Sequence, residues 1–261
     1  MTTQDAVFIK HYSAAQQGKG AFDGGKITEI KPIDFPGGTS PQQRIGPLFY
    51  WAWASAKGDG VIGMHPHKGF EILSYVLDGE IGHSDTKGNS SRVGKGGAQV
   101  MQTGSGISHQ EEMFGEKTEF FQIWFEPELH SAMGRPPVYA DFNEGDFPVD
   151  AVAGGSFKRI IGDGGPVDLV APVKMRDLTV DAGQTVDSPL PENHAITAMT
   201  VSGKGYWHTD DSEKLKVESR DFAVIESPQA LDLKLEANAG TDLRVVLIET
   251  PLEVEYPLYR F

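Results

Sequence analysis

The 261-residue chain carries 37 Asp and Glu against 23 Lys and Arg, a formal net charge of −14, and it has no cysteine. An acid excess without a Lys/Arg cluster disfavours direct binding to nucleic acid, and the missing thiols exclude disulfides, thiolate metal sites and cysteine nucleophiles. The 31 glycines and 16 prolines favour turns and short strands over long helices.

In chain order, "MTTQDAVFIKHYSAAQQ" offers no apolar core of a signal peptide. No later apolar run reaches the roughly 20 residues of a membrane span. A cytoplasmic protein without membrane contact is expected. "KITEIKPIDF" and "RIGPLFYWAWASA" are strand-prone, and "FEILSYVL" (70–77) is rich in β-branched and aromatic residues. Asp78-Gly79 follows, a type I′ hairpin signal that predicts "EIGHSD" as the returning strand. "AQVMQT" (98–103) predicts another strand. "EFFQIWFE" (119–126) alternates Phe121, Ile123 and Phe125 with Gln122, Trp124 and Glu126, a period of two that marks a sheet with two different faces.

"PELHSAMGRPPVYADF" is proline-rich and predicts a boundary. The expected division is an N-terminal domain over 1–135, a linker over 136–150 and a C-terminal domain over 151–261. In the second half, "MRDLTVDAG", "HAITAMTVSGKGYWHT", "KLKVESRDFAVIES", "LDLKLEANAG" and "DLRVVLIET" predict short strands between Gly, Asp and Pro. That spacing points to sandwiches or barrels. "SYVLDGEIGH" and "AMTVSGKGYWH" share a strand, a Gly-containing turn and a returning strand ending in His, which suggests an internal duplication.

Residues i and i+2 of a strand share a face. His65 and His67 in "MHPHKGFE" can therefore present two imidazoles together, with Pro66, which lacks an N–H, suited to a strand start or edge. "TGSGISHQEE" sets His109 and Glu111 in the same relation. A hairpin that brings the two pairs alongside makes a site of three imidazoles and one carboxylate. Such donors suit a divalent transition metal: Fe(II) first, with Ni, Mn, Zn or Cu possible, and not Ca²⁺ or Mg²⁺. Four protein ligands on an octahedral ion leave two positions open for a substrate oxygen and O₂.

"HPHKGFEILSYVLDGEIGHSDTKGN", "TGSGISHQEEM" and "FQIWFEPE" resemble the pirin family of the cupin superfamily. The resemblance is specific in the N-terminal half and weaker through "RPPVYADF" and the second half. It implies an all-β fold of two tandem cupin domains, jelly-roll β-barrels facing each other, with metal only in the first. The implied ligands are His65, His67, His109 and Glu111. The family commonly reads H-x-E-M where this chain reads His109-Gln110-Glu111-Glu112-Met113, so Glu112 competes with Glu111 by register. The i, i+2 geometry favours Glu111. The tail "ETPLEVEYPLYRF" also departs from many members, which puts any role of that tail in doubt.

The resemblance further implies a quercetin 2,3-dioxygenase-like enzyme that opens a flavonol with O₂, a small planar aromatic substrate, and Glu111 as the general base that takes the flavonol's proton. The alternatives are a non-catalytic, redox-responsive binding or regulatory protein with a protein partner, and a cupin with structural zinc. Other residues carry plainer readings. His83 with Asp85, and His208 with Asp210, read as hydrogen-bonded or surface strand pairs. His11, His130 and His194 read as solvated. Glu71 reads as a partner of a metal ligand or as a strand residue. Phe49, Tyr50, Trp51 and Trp53 read mostly as barrel core, and "GKGG" (94–97) as a turn.

Overall fold

The computed structural model describes residues 8–210 and 213–259. Residues 1–7, part of the segment read for a signal peptide, and residues 260–261 of the tail lie outside the described residues. The fold is all-β, and among the described residues no helix is long and apolar enough to cross a membrane.

Two compact units divide the chain. One holds residues 16–146 and 169–172 with the C-terminal stretch from Val254. The other holds Phe147–Asp168 and Val173–Glu253 with the N-terminal strand Phe8–Tyr12. This division corrects the linear one in three places. Phe8–Tyr12 pairs antiparallel with Phe222–Ser227, so it joins the second unit. Val138–Phe142, expected in a linker, pairs residue for residue with Ala98–Gln102 and closes the first unit's sheet. Val149–Val152 pairs with Gly155–Ile161 and opens the second unit's sheet. In each case the backbone pairs at a sheet edge, and for the last two strands that pairing outweighs the nearby prolines.

The first unit is built on the 19-residue strand Ile107–Phe125. Its first part pairs with Gly60–His67 and its last part with Leu48–Lys57, while Glu71–Asp85 runs along its other side. The expected Asp78-Gly79 hairpin is overturned. Glu71–Asp85 is one 15-residue strand that passes through Asp78-Gly79 with a register shift. Gly79 takes φ 77°, and a Cβ there would meet the Lys117 carbonyl at 2.4 Å, so the glycine serves a bulge and not a turn. The hairpin falls after Asp85, where Ser90–Gly94 returns along Glu80–Ser84. Gly203 (φ 85°) stands at the corresponding break of the second unit. There it parts His194–Ser202, in a seven-stranded sheet, from Lys204–His208, in a four-stranded one.

Each unit has its own core. Ile27, Ala54, Val76, Ile81, Met113 and Phe120 pack together in the first, and Trp207, Ile225, Leu235, Val245 and their neighbours in the second. On the central strand Phe121, Ile123 and Phe125 are fully buried, as the alternation requires, but Gln122 and Glu126 are buried too. The polar face of this strand is therefore interior, and that face builds the site.

Candidate metal centre

Register brings three of the four expected ligands together, the histidines, and leaves Glu111 opposite Ile62 and outside their cluster. His65 lies opposite His109 across the strand pair, and a shift between Ile62 and His65 puts both His65 and His67 on the inner side. Gly60–His67 is an edge strand, where Pro66 removes no needed ladder bond. Each of His65, His67 and His109 offers a ligand atom within 4.8 Å of the others. Their ring centroids are 4.5 to 5.0 Å apart. His109 is buried and the other two are half-buried.

Nε2 of His67 and Nε2 of His109 are buried without a hydrogen-bond partner. A buried polar atom left unsatisfied costs about 1–3 kcal/mol, so such atoms call for an explanation. A metal ion between them supplies one. His65 Nδ1 donates to the Gly63 carbonyl at 2.8 Å, which leaves its Nε2 as the bare nitrogen of the ring. Burial, with the neighbouring His65, holds the His67 pKa down to about 4, and burial with the other histidines holds His109 down to about 2. Both rings are neutral at physiological pH, the form that binds a metal. The three imidazoles fit a divalent transition metal.

Glu111 follows His109 by two residues on the same buried face, whereas Glu112 is half-exposed on the other. Gln122 Nε2 donates to Glu111 Oε1 at 2.8 Å and Ser74 Oγ reaches the same oxygen at 3.5 Å. Burial raises the Glu111 pKa above the ordinary carboxylate value, against the opposing pull of Gln122 and the histidines. The cluster gathered within 4.8 Å comprises the three histidines, with Glu111 adjoining it on the strand.

His83 and Asp85 are more than a surface pair. Both are buried, and strand pairing sets His83 opposite Glu111 and Asp85 opposite His109. His83 Nε2 meets Asp85 Oδ2 at 3.0 Å, and His83 Nδ1 lies 3.4 Å from His109 Nδ1. The inward i, i+2 spacing of H-x-D was the available signal, but register was needed to read it.

Glu71 is buried and accepts hydrogen bonds from Gln102 Nε2 (2.8 Å) and the backbone N–H groups of Val170 (2.8 Å) and Ala171 (2.9 Å). It anchors the 169–172 segment within the first unit and is not part of the histidine cluster. His11 bonds Asp221, His194 bonds the Glu192 carbonyl, His208 pairs with Glu236, and Asp210 pairs with Lys234. Trp51 and Trp53 pack edge-on against Phe121 in the core. Phe49 and Tyr50 join Phe35, Phe70 and Trp124, and Trp124 stands edge-on to His67 at 4.8 Å, so this aromatic group reaches the cluster. An open recess of about 490 Å³ lies over His67, lined by Pro66, Lys68, Thr86 and Gly106–Ser108.

The family model described as Pirin matches residues 51–125, the stretch that holds all three histidines. A Zymomonas mobilis protein named "Putative quercetin 2,3-dioxygenase" is 33% identical over 215 residues, 80% of this chain and 84% of that protein. A "Pirin-like protein" of Caulobacter vibrioides is 30% identical over 188 residues, 71% of this chain and 75% of that one. In structure the chain is similar to the Escherichia coli bacterial pirin YhhW in complex with nickel(II), with a TM-score of 0.77 and 23% identity. That match covers 94% of this chain and 99% of that one, and it gives the two-cupin fold. Identity of 30% or more to these relatives over most of both chains, with the family model matching the strands that carry the histidines, makes this chain a member of the pirin family.

Proposed function

We propose that the protein is a metal-dependent dioxygenase that opens a flavonol such as quercetin with O₂. The observation that carries this reading is the set of imidazoles, two with orphaned Nε2 atoms, beside a buried carboxyl of raised pKa, with an open recess at His67. His65, His67, His109 and Glu111 would hold one divalent metal, with Fe(II) the first expectation and Ni, Mn, Zn or Cu open. When bound, the metal would supply a Lewis acid for the flavonol's adjacent hydroxyl and carbonyl oxygens and an electron partner for O₂.

The chain's own side chains have distinct tasks. Glu111 takes the flavonol hydroxyl proton: Gln122 Nε2 donates to its Oε1, which leaves Oε2 open to receive it. Its raised proton affinity matches a base that must hold that proton. Gln122 orients the carboxylate, and Ser74 Oγ donates to Gln122 Oε1 at 2.6 Å, which fixes the amide so that its NH₂ faces Glu111. Trp124, edge-on to His67, offers an apolar wall for a planar ring and keeps water from that side. The names of the relatives support this reaction class.

The test is an oxygen-electrode assay with quercetin on protein loaded in turn with Fe(II), Ni(II), Mn(II), Cu(II) and Zn(II). O₂ uptake with loss of flavonol absorbance is expected with at least one. Tight metal binding without uptake under any of them would sink the enzyme reading in favour of a metal-dependent binding protein.

A further inference from the structure

We propose that His83 and Asp85 are positioning residues that fix the tautomer of His109, and so hold its Nε2 bare for a metal ion. The inference rests on the metal-centre reading above.

Donors surround both oxygens of Asp85. Its Oδ1 accepts the backbone N–H groups of Lys87 (2.8 Å) and Asn89 (3.1 Å), and its Oδ2 accepts Asn89 Nδ2 (2.8 Å). Asp85 is therefore an acceptor only, and His83 Nε2 must donate to it. With that proton on Nε2, His83 Nδ1 is the bare nitrogen of its ring.

His109, neutral, has one ring proton to place. On Nε2 it would be a buried donor with no acceptor, because that atom has no partner. On Nδ1 it meets His83 Nδ1 at 3.4 Å. Only the second arrangement satisfies both rings, and it leaves His109 Nε2 as a lone pair toward His65 and His67. The His83 ring cannot easily turn away, since it stacks on Tyr139 with centroids 4.0 Å apart and planes 11° from parallel. Tyr139 is itself tied to Ser91 Oγ at 2.6 Å. Strand register does the rest, with Asp85 opposite His109 and His83 opposite Glu111.

The experiment compares the wild type with His83→Phe, which keeps a ring against Tyr139, and with Asp85→Asn, which leaves every ring in place. Two quantities are read: imidazole ¹⁵N shifts of His109 in the metal-free protein, and Ni(II) affinity by chelator competition. The wild type is expected to show a protonated Nδ1 and a bare Nε2 at His109. His83→Phe is expected to show mixed tautomers and an affinity about 10- to 100-fold weaker, with Asp85→Asn changed in the same direction. If His83→Phe fails to fold, Asp85→Asn decides by the same two readouts. A folded variant with wild-type shifts, or with an affinity within twofold of wild type, overturns the inference. Failure of the wild type to bind Ni(II) strikes instead at the metal centre, while its ¹⁵N pattern still reports the tautomer.

Discussion

Gln122 Nε2 donates to Glu111 Oε1 at 2.8 Å, although both residues belong to one strand and stand 11 positions apart. The strand carries Gly115 at φ 92° between them, and its two parts pair with different neighbours, Gly60–His67 and Leu48–Lys57. One continuous strand thus supplies His109, Glu111 and the amide that holds Glu111.

Removing that amide isolates its role. Gln122→Leu keeps bulk but leaves Glu111 without its shortest hydrogen bond, which raises the proton affinity of a carboxyl already raised by burial. Ni(II) affinity is expected to fall about 10- to 100-fold, measured by chelator competition at pH 7. Unchanged affinity would separate Glu111 from the metal.

Glu29 gives a stability signature with a definite sign. Burial raises its pKa from 4.5 to about 7, opposed by Lys31 and reinforced by Glu111. A native pKa above the unfolded one means that the native state holds the proton longer. The contribution is fully present below pH 4.5 and lost as pH rises through about 7, an effect of about 3 kcal/mol. In urea unfolding across that range, wild type should lose this much relative to Glu29→Gln. A constant difference between the two proteins would contradict the assignment.

His67 has the opposite sign. Its native pKa of about 4 lies below the unfolded 6.5, so the unfolded chain takes up its proton first. Stability of the metal-free protein from this group is present above pH 6.5 and is lost as pH falls through about 4. His67→Gln should flatten that acid limb in urea unfolding, and an unchanged limb would assign it to other groups.

Glu71 is predicted to matter for folding and not for metal. Glu71→Ala strands the backbone N–H groups of Val170 and Ala171, removes a bond from Gln102, and should cost about 3 kcal/mol in urea unfolding with metal stoichiometry unchanged. Loss of metal from a folded variant would place Glu71 in the site after all.

The histidines were legible because strand geometry is local. H-x-H and H-x-E each declare a shared face, and both pairs lie on strands. The all-β class was legible for the same reason. What stayed hidden depends on pairing between distant segments. Asp78-Gly79 has the composition of a hairpin, and only the approach of the Lys117 backbone makes it a bulge. Phe8–Tyr12 pairs with a strand some 210 residues away, which leaves no local mark. Val138–Phe142 sits among prolines that suggest a linker, yet an open sheet edge at Ala98–Gln102 recruits it. His83 was read as an ordinary strand histidine because H-x-D does not say which face is inside.

Metal content tests the central claim most directly. Protein prepared without chelators and loaded with Ni(II) should hold one ion per chain by elemental analysis, and His109→Ala should hold none after desalting while remaining folded. An undiminished stoichiometry in folded His109→Ala would contradict a centre built on His65, His67 and His109.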